Sequence, residues 1–158
     1  MRLLKALLLG ERPSGNMDYK MPQLQALLMC DTVVIAPDGK IQLQGIFDQI
    51  STVALPASHR MAWLYFRFLV DKPKASHVTV HFSINRPNGV TETMADLKVP
   101  VALDGKAEGN VALQNLPLHS AGYHTIDLFV EEEKIGSYRF LVELIRSQAG
   151  GMRRESVN

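Results

Sequence analysis

His77-Val78-Thr79-Val80-His81-Phe82-Ser83-Ile84 decides the fold: Val78, Val80, Phe82 and Ile84 fall on one side of an extended chain, His77, Thr79, His81 and Ser83 on the other. A strand turns its side chain over at every residue, so this period of two describes a strand with one dry and one wet face. The beat spreads outward in both directions, from about Leu24 to Ile145. It is cut at short intervals by Pro37-Asp38-Gly39-Lys40 and Pro87-Asn88-Gly89, which suit tight reversals between antiparallel neighbours.

Upstream, a first strand is predicted from about Leu24 to Ala36, with Leu24, Ala26, Leu28 and Cys30 on one face. After the turn at Pro37, Ile41, Leu43 and Phe47 alternate with polar residues and complete a hairpin, Gly45 marking a bulge. Pro56 to Arg60 is expected to be a loop. Met61 to Asp71 has a wholly apolar face (Ala62, Leu64, Phe66, Phe68, Val70) and an amphipathic one (Met61, Trp63, Tyr65, Arg67, Leu69). Downstream, Val90 to Val101 reads as a Thr-rich edge strand, and Asp104 to Gly109 as a loop. Val111 to Leu118 reads as a strand that Pro117 confines to an edge or an end. Ile126, Leu128 and Val130 pair across Glu131 to Lys134 with Tyr138, Phe140, Val142 and Leu144.

These runs amount to about eight short strands, the spacing of an all-β, antiparallel two-sheet β-sandwich of immunoglobulin-like kind. The expected core is Leu28, Leu43, Phe47, Leu64, Phe66, Phe68, Val78, Val80, Phe82, Ile84, Leu128, Phe140 and Val142. Residues 1–20 are expected to be a disordered N-terminal extension or a misplaced start, 21–145 the sandwich, and 146–158 a disordered C-terminal tail. Tyr123 is expected to pack at a sandwich corner, its hydroxyl bonded to backbone near Leu118 to Ser120.

Two stretches resemble a known family. Leu28-Met29-Cys30-Asp31, then Gly39-Lys40-Ile41-Gln42-Leu43-Gln44-Gly45-Ile46-Phe47, with Pro56 further on, resemble the opening hairpin of an uncharacterised bacterial domain-of-unknown-function family. Gly122-Tyr123, Leu128 and Val130 resemble its closing hairpin. The resemblance spans about Met21 to Leu144 and implies a small immunoglobulin-like sandwich of a bacterial or phage setting. It brings no established catalytic residues, and residues 1–20 depart from it, since members usually begin near Met21.

With 17 Lys plus Arg against 16 Asp plus Glu, the formal charge is +1, so the basic excess that nucleic-acid binding uses to neutralise phosphate is lacking. Hydrophobic residues make up 46% and charged residues 21%, a globular balance. The one cysteine, Cys30, allows no intrachain disulfide and fits a reducing, cytoplasmic setting. The uncharged apolar run near the start, Ala6 to Leu9, is shorter than an export signal, and no stretch reaches the length of a membrane span.

The chemistry-bearing residues form no recognised set. His77 and His81 share a strand face but lie about 13 Å apart along it, too far for one zinc at about 2.1 Å from each ligand. His119 and His124 flank a turn without a third ligand. Cys30 beside Asp31 reads as a buried small hydrophobe. Asp104-Gly105-Lys106-Ala107-Glu108-Gly109 puts a lysine where a calcium loop needs an oxygen. No metal, cofactor or catalytic residue is therefore assigned, and the chain is not expected to be an enzyme.

Trp63, Tyr65 and Arg67 remain as a candidate interface, because these residue types anchor protein contacts. The expected function is a non-catalytic interaction or structural module with a protein partner, a second copy of the chain among the candidates. The alternative is a carbohydrate- or small-ligand-binding sandwich stacking its ligand on Trp63 and Tyr65. A third option, a hydrolase, requires His119 or His124 to meet Asp127 or Glu131 near the last hairpin.

Overall fold

Nine strands carry the residues that the computed structural model describes, 20–71 and 76–145. They are β1 (Gln23–Ile35), β2 (Ile41–Ile46), β3 (Gln49–Thr52), β4 (Ala57–Leu69), β5 (His77–Asn85), β6 (Thr91–Pro100), β7 (Lys106–Leu118), β8 (Gly122–Val130) and β9 (Glu133–Leu144). One sheet has the order β2-β1-β4-β7 and the other β3-β9-β8-β5-β6. Every pairing is antiparallel except β3 with β9, which is parallel. With β4 and β7 facing β5, β8 and β9, the chain has the strand division of an immunoglobulin-like sandwich.

Alternation builds the core. Ala62, Leu64, Phe66 and Phe68 of β4 are fully buried and face Val80, Phe82 and Ile84 of β5 with Ile126, Leu128 and Val130 of β8. Phe66 lies 6.2 Å from Phe68 along its own strand and 5.3 Å from Phe82 across the sandwich. Val78 and Phe47 are half-buried against this cluster, and Phe140 and Val142 close it from β9.

Five expectations are revised by the structure. Leu28 is not in the core: the register of β1 against β4 shifts between Leu24 and Ala26, so Leu27 and Met29 point inward instead. An extra residue in one strand exchanges its faces, and nothing in a locally apolar run announces it. Leu43 is half-buried opposite Val33 and outside the core, because β2 is the edge of its sheet. The strand count rises to nine because Gln49–Thr52, lying beyond the end of β2, crosses to the second sheet as β3.

The expected loops at Pro56–Arg60 and Asp104–Gly109 are mostly strand, entering β4 at Ala57 and β7 at Lys106. Tyr123 forms no corner. It is 54% exposed, with the Arg139 guanidinium 3.5 Å above its ring. The parity that buries Ile126, Leu128 and Val130 carries back to His124, which turns Tyr123 outward. The tyrosine hydroxyl that bonds backbone is that of Tyr138, donated to the Phe47 carbonyl at 2.5 Å. Apart from Lys20, the expectations for residues 1–20 and 146–158 lie outside the described residues.

Candidate functional site

The amphipathic face of β4 looks outward from the four-stranded sheet, carrying Met61, Trp63, Tyr65, Arg67 and Leu69. Residues opposite each other in antiparallel strands share a face, so the register extends this line sideways. Ile46, Cys30, Trp63 and Ala112 form one row across β2, β1, β4 and β7. Leu28, Tyr65 and Asn110 form the next, and Ala26, Arg67 and Glu108 a third. Ile46 is 56% and Met61 38% exposed, while Trp63 and Leu28 are half-buried.

Trp63, Tyr65 and Arg67 thus share the face assigned to them, but not the same standing on it. Tyr65 is only 8% exposed, and its hydroxyl donates to Glu108 Oε2 at 3.2 Å. Burial, and then the Glu108 carboxylate, push that phenol up from its ordinary range. Arg67 is half-buried, its Nε shielded and without a partner among the described residues. Tyr65 and Arg67 underpin the surface; Trp63, Met61, Leu28 and Ile46 present it. Sequence reasoning missed Ile46, which comes beside Trp63 only through the registers Cys30↔Ile46 and Cys30↔Trp63.

Between them, Cys30 is fully buried, its thiol directed to the Thr32 carbonyl at 3.5 Å. Burial pushes this thiol up from its ordinary value, which disfavours the thiolate that a nucleophile needs. Asp31 beside it is exposed.

The opposite sheet does not assemble a hydrolytic site from the last hairpin. His124 is fully buried on the core face, stacked 5.1 Å from Phe140, with Nδ1 3.1 Å from the Gly122 carbonyl. Asp127 points the other way. It accepts hydrogen bonds from Asn85 at 2.8 Å and Ser137 at 2.6 Å, and pairs with Lys134 Nζ at 2.8 Å. Although burial pushes upward, these three partners hold its carboxyl below the ordinary range. His119 is exposed, and Glu131 is occupied by the Thr79 amide at 2.6 Å. His77 is exposed and His81 half-buried on the outward face of β5.

Buried His124 makes the fold sensitive to acid. Burial lowers its pKa, with the Gly122 bond opposing and the Arg86 and His119 charges adding to the lowering. Below the ordinary histidine value of about 6.5 the unfolded chain takes up a proton that the native ring resists. Stability is therefore full above that pH and falls as the pH drops toward the lowered native value. The urea midpoint is expected to decrease between pH 7.5 and pH 5, and less so in His124→Leu; equal decreases in the two proteins would remove His124 as the cause.

No helix long and apolar enough to cross a membrane occurs among the described residues, nor any cluster of three metal-ligating side chains. No curated protein matches the chain by sequence. Its fold is similar to part of the alkylpurine DNA glycosylase AlkC of Pseudomonas fluorescens, solved bound to DNA containing an abasic site analogue. That alignment has a TM-score of 0.51 and 13% identity, over 77% of this chain and 30% of the glycosylase chain. The chain therefore spans less than a third of that protein's length. An immunoglobulin-like protein from Pseudomonas aeruginosa aligns with a TM-score of 0.35 and 11% identity, over 80% of this chain and 100% of that one. By its match over residues 25–143, the chain belongs to the family of unknown function DUF6941.

Proposed function

We propose that the chain is a non-catalytic interaction module whose outer four-stranded face binds a protein partner in the cytoplasm. The observation that carries this reading is the apolar surface of Ile46, Met61, Trp63 and Leu28, on a face over which no further strand packs among the described residues. Burying such a surface is favoured at roughly 25 cal/mol per Å2. The charged groups at its border, Arg67 and Glu108, give the polar rim that protein contacts use.

A sugar-stacking reading fits less well. A sugar platform needs exposed ring faces, and Tyr65 is nearly covered with its hydroxyl already engaged, leaving Trp63 alone.

A photo-crosslinking residue at position 63, in the chain produced in its native cells, is expected to join it to one polypeptide of discrete mass. The same residue at Tyr123, exposed on the opposite sheet, serves as control. Ile46→Arg, a desolvated charge in the contact, should reduce the adduct at least about tenfold. No adduct at position 63, or equal adducts at both positions, would reject the reading. An adduct between two copies would identify the partner as the chain itself.

A further inference from the structure

We infer that β7 is a self-association edge: two copies of the chain pair through it, antiparallel about a two-fold axis, and join their four-stranded sheets into one of eight strands. Among the described residues, no strand lies outside β7 in its sheet. Every second residue of such an outermost strand directs its N–H and C=O away from the sheet, a row of backbone groups that suits another strand. The side of the sandwich is open here as well. A recess of about 270 Å3 separates β7 from β6, with Leu113 and Leu116 of β7 and Met94 of β6 in its walls.

Two further observations select this edge, and a second copy as its occupant. First, the other three edges carry devices that keep foreign strands away. β3 has four residues and β2 six, the latter interrupted by Gly45 at φ +64, and β6 carries Glu92, Asp96 and Lys98. β7 runs in unbroken register with β4 from Lys106 to Gln114, and no charged side chain stands from Gly109 to Gln114. Its own charges, Lys106 and Glu108, lie at one end, 3.5 Å from each other. Asn115, at φ +51, and Pro117 bound the stretch at the other end. Second, the uncharged run is compatible with its own reverse. With the axis through Val111, Asn110 faces the second copy's Ala112, Gly109 its Leu113 and Glu108 its Gln114, so no like charges stand opposite each other. Asn110, Ala112 and Gln114 are exposed. Ala112 also ends the outer row of Ile46, Cys30 and Trp63. Pairing carries that row on into the second copy's Asn110 and Tyr65 instead of ending it at solvent.

The contact is made by the β7 backbone and leaves the Trp63 face open, so it stands or falls separately from the interface proposed above. Sedimentation equilibrium of the full chain is expected to show a reversible monomer–dimer equilibrium. Amide hydrogen exchange from Gly109 to Gln114 should slow as the protein concentration rises into the dimer range, while exchange in β2 stays constant. Asn110→Lys combined with Ala112→Lys sets like charges opposite each other across the axis and should raise the dimer Kd at least about tenfold. Asn110→Asp combined with Ala112→Asp should do the same, and mixing the two double variants should restore association as a one-to-one heterodimer. Gln42→Lys combined with Gln44→Lys, at the opposite edge of the same sheet, should leave the dimer unchanged. All four positions are exposed, so the variants are expected to fold. A monomer at every concentration up to about 1 mM, higher oligomers in place of a dimer, or concentration-dependent protection outside β7 alone would overturn the assignment. No recovery on mixing, or an equal loss with the Gln42 and Gln44 variant, would overturn it as well.

Discussion

Phe66→Ala is expected to destabilise the fold by about 3–5 kcal/mol, the range for deleting a fully buried phenyl group. The ring has no exposed surface and touches aromatic neighbours in both sheets, Phe68 in its own and Phe82 in the other. Its tip also rests on Gly109 of β7, where an added Cβ would come within 2.7 Å of Cζ. Backbone on that side cannot close the void, so little of the loss is recovered by relaxation. Against a total stability of about 5–15 kcal/mol, the variant would lose a large share of its native population. Urea unfolding would measure it, with the slope unchanged. A loss below about 1 kcal/mol would mean that the core closes around the void instead of keeping it.

Gly105→Ala comes next. Gly105 has φ +83, and a Cβ there would overlap the Val70 carbonyl oxygen. The left-handed backbone costs a non-glycine residue about 1–2 kcal/mol, and forcing Val70 aside adds about 1–3. Val70 cannot move freely, because its amide donates to the Gly105 carbonyl at 2.8 Å. Gly39→Ala is the internal comparison: it has nearly the same φ of +80 but nothing within 4 Å of the new Cβ. The difference between the two midpoints isolates the steric part. Equal losses would show that only the dihedral matters.

The contrast between these glycines marks how far the sequence can be read. Both stand in Asp-Gly-Lys turns, and both turns are foreseen from composition. That one is open while the other is wedged against Val70, just past β4, depends on a contact 35 residues away, which no local pattern encodes. The strands with clean alternation, β5 and the second half of β4, are legible almost residue by residue. The β1 faces are not, since Leu24 to Cys30 is apolar at most positions and its bulge leaves no compositional mark. Of the candidate interface, Trp63, Tyr65 and Arg67 are legible as one face because they share a strand. Ile46 is not, because cross-strand register alone brings it beside Trp63.

Strand β3 places residues 49–52 beside residues 141–144, in parallel. Closing a loop of some 90 residues costs about 2 kcal/mol more chain entropy than closing one of ten, so this pairing is disfavoured until other strands have shortened the path. During synthesis it is impossible until β9 has left the ribosome. Throughout that interval the second sheet ends at an unpaired β8, its Ile126, Leu128 and Val130 lacking the cover that Phe140 and Val142 later supply. The nascent chain is thus most prone to aggregation between the emergence of β8 and that of β9, when a nearly complete sandwich still presents an open, apolar edge.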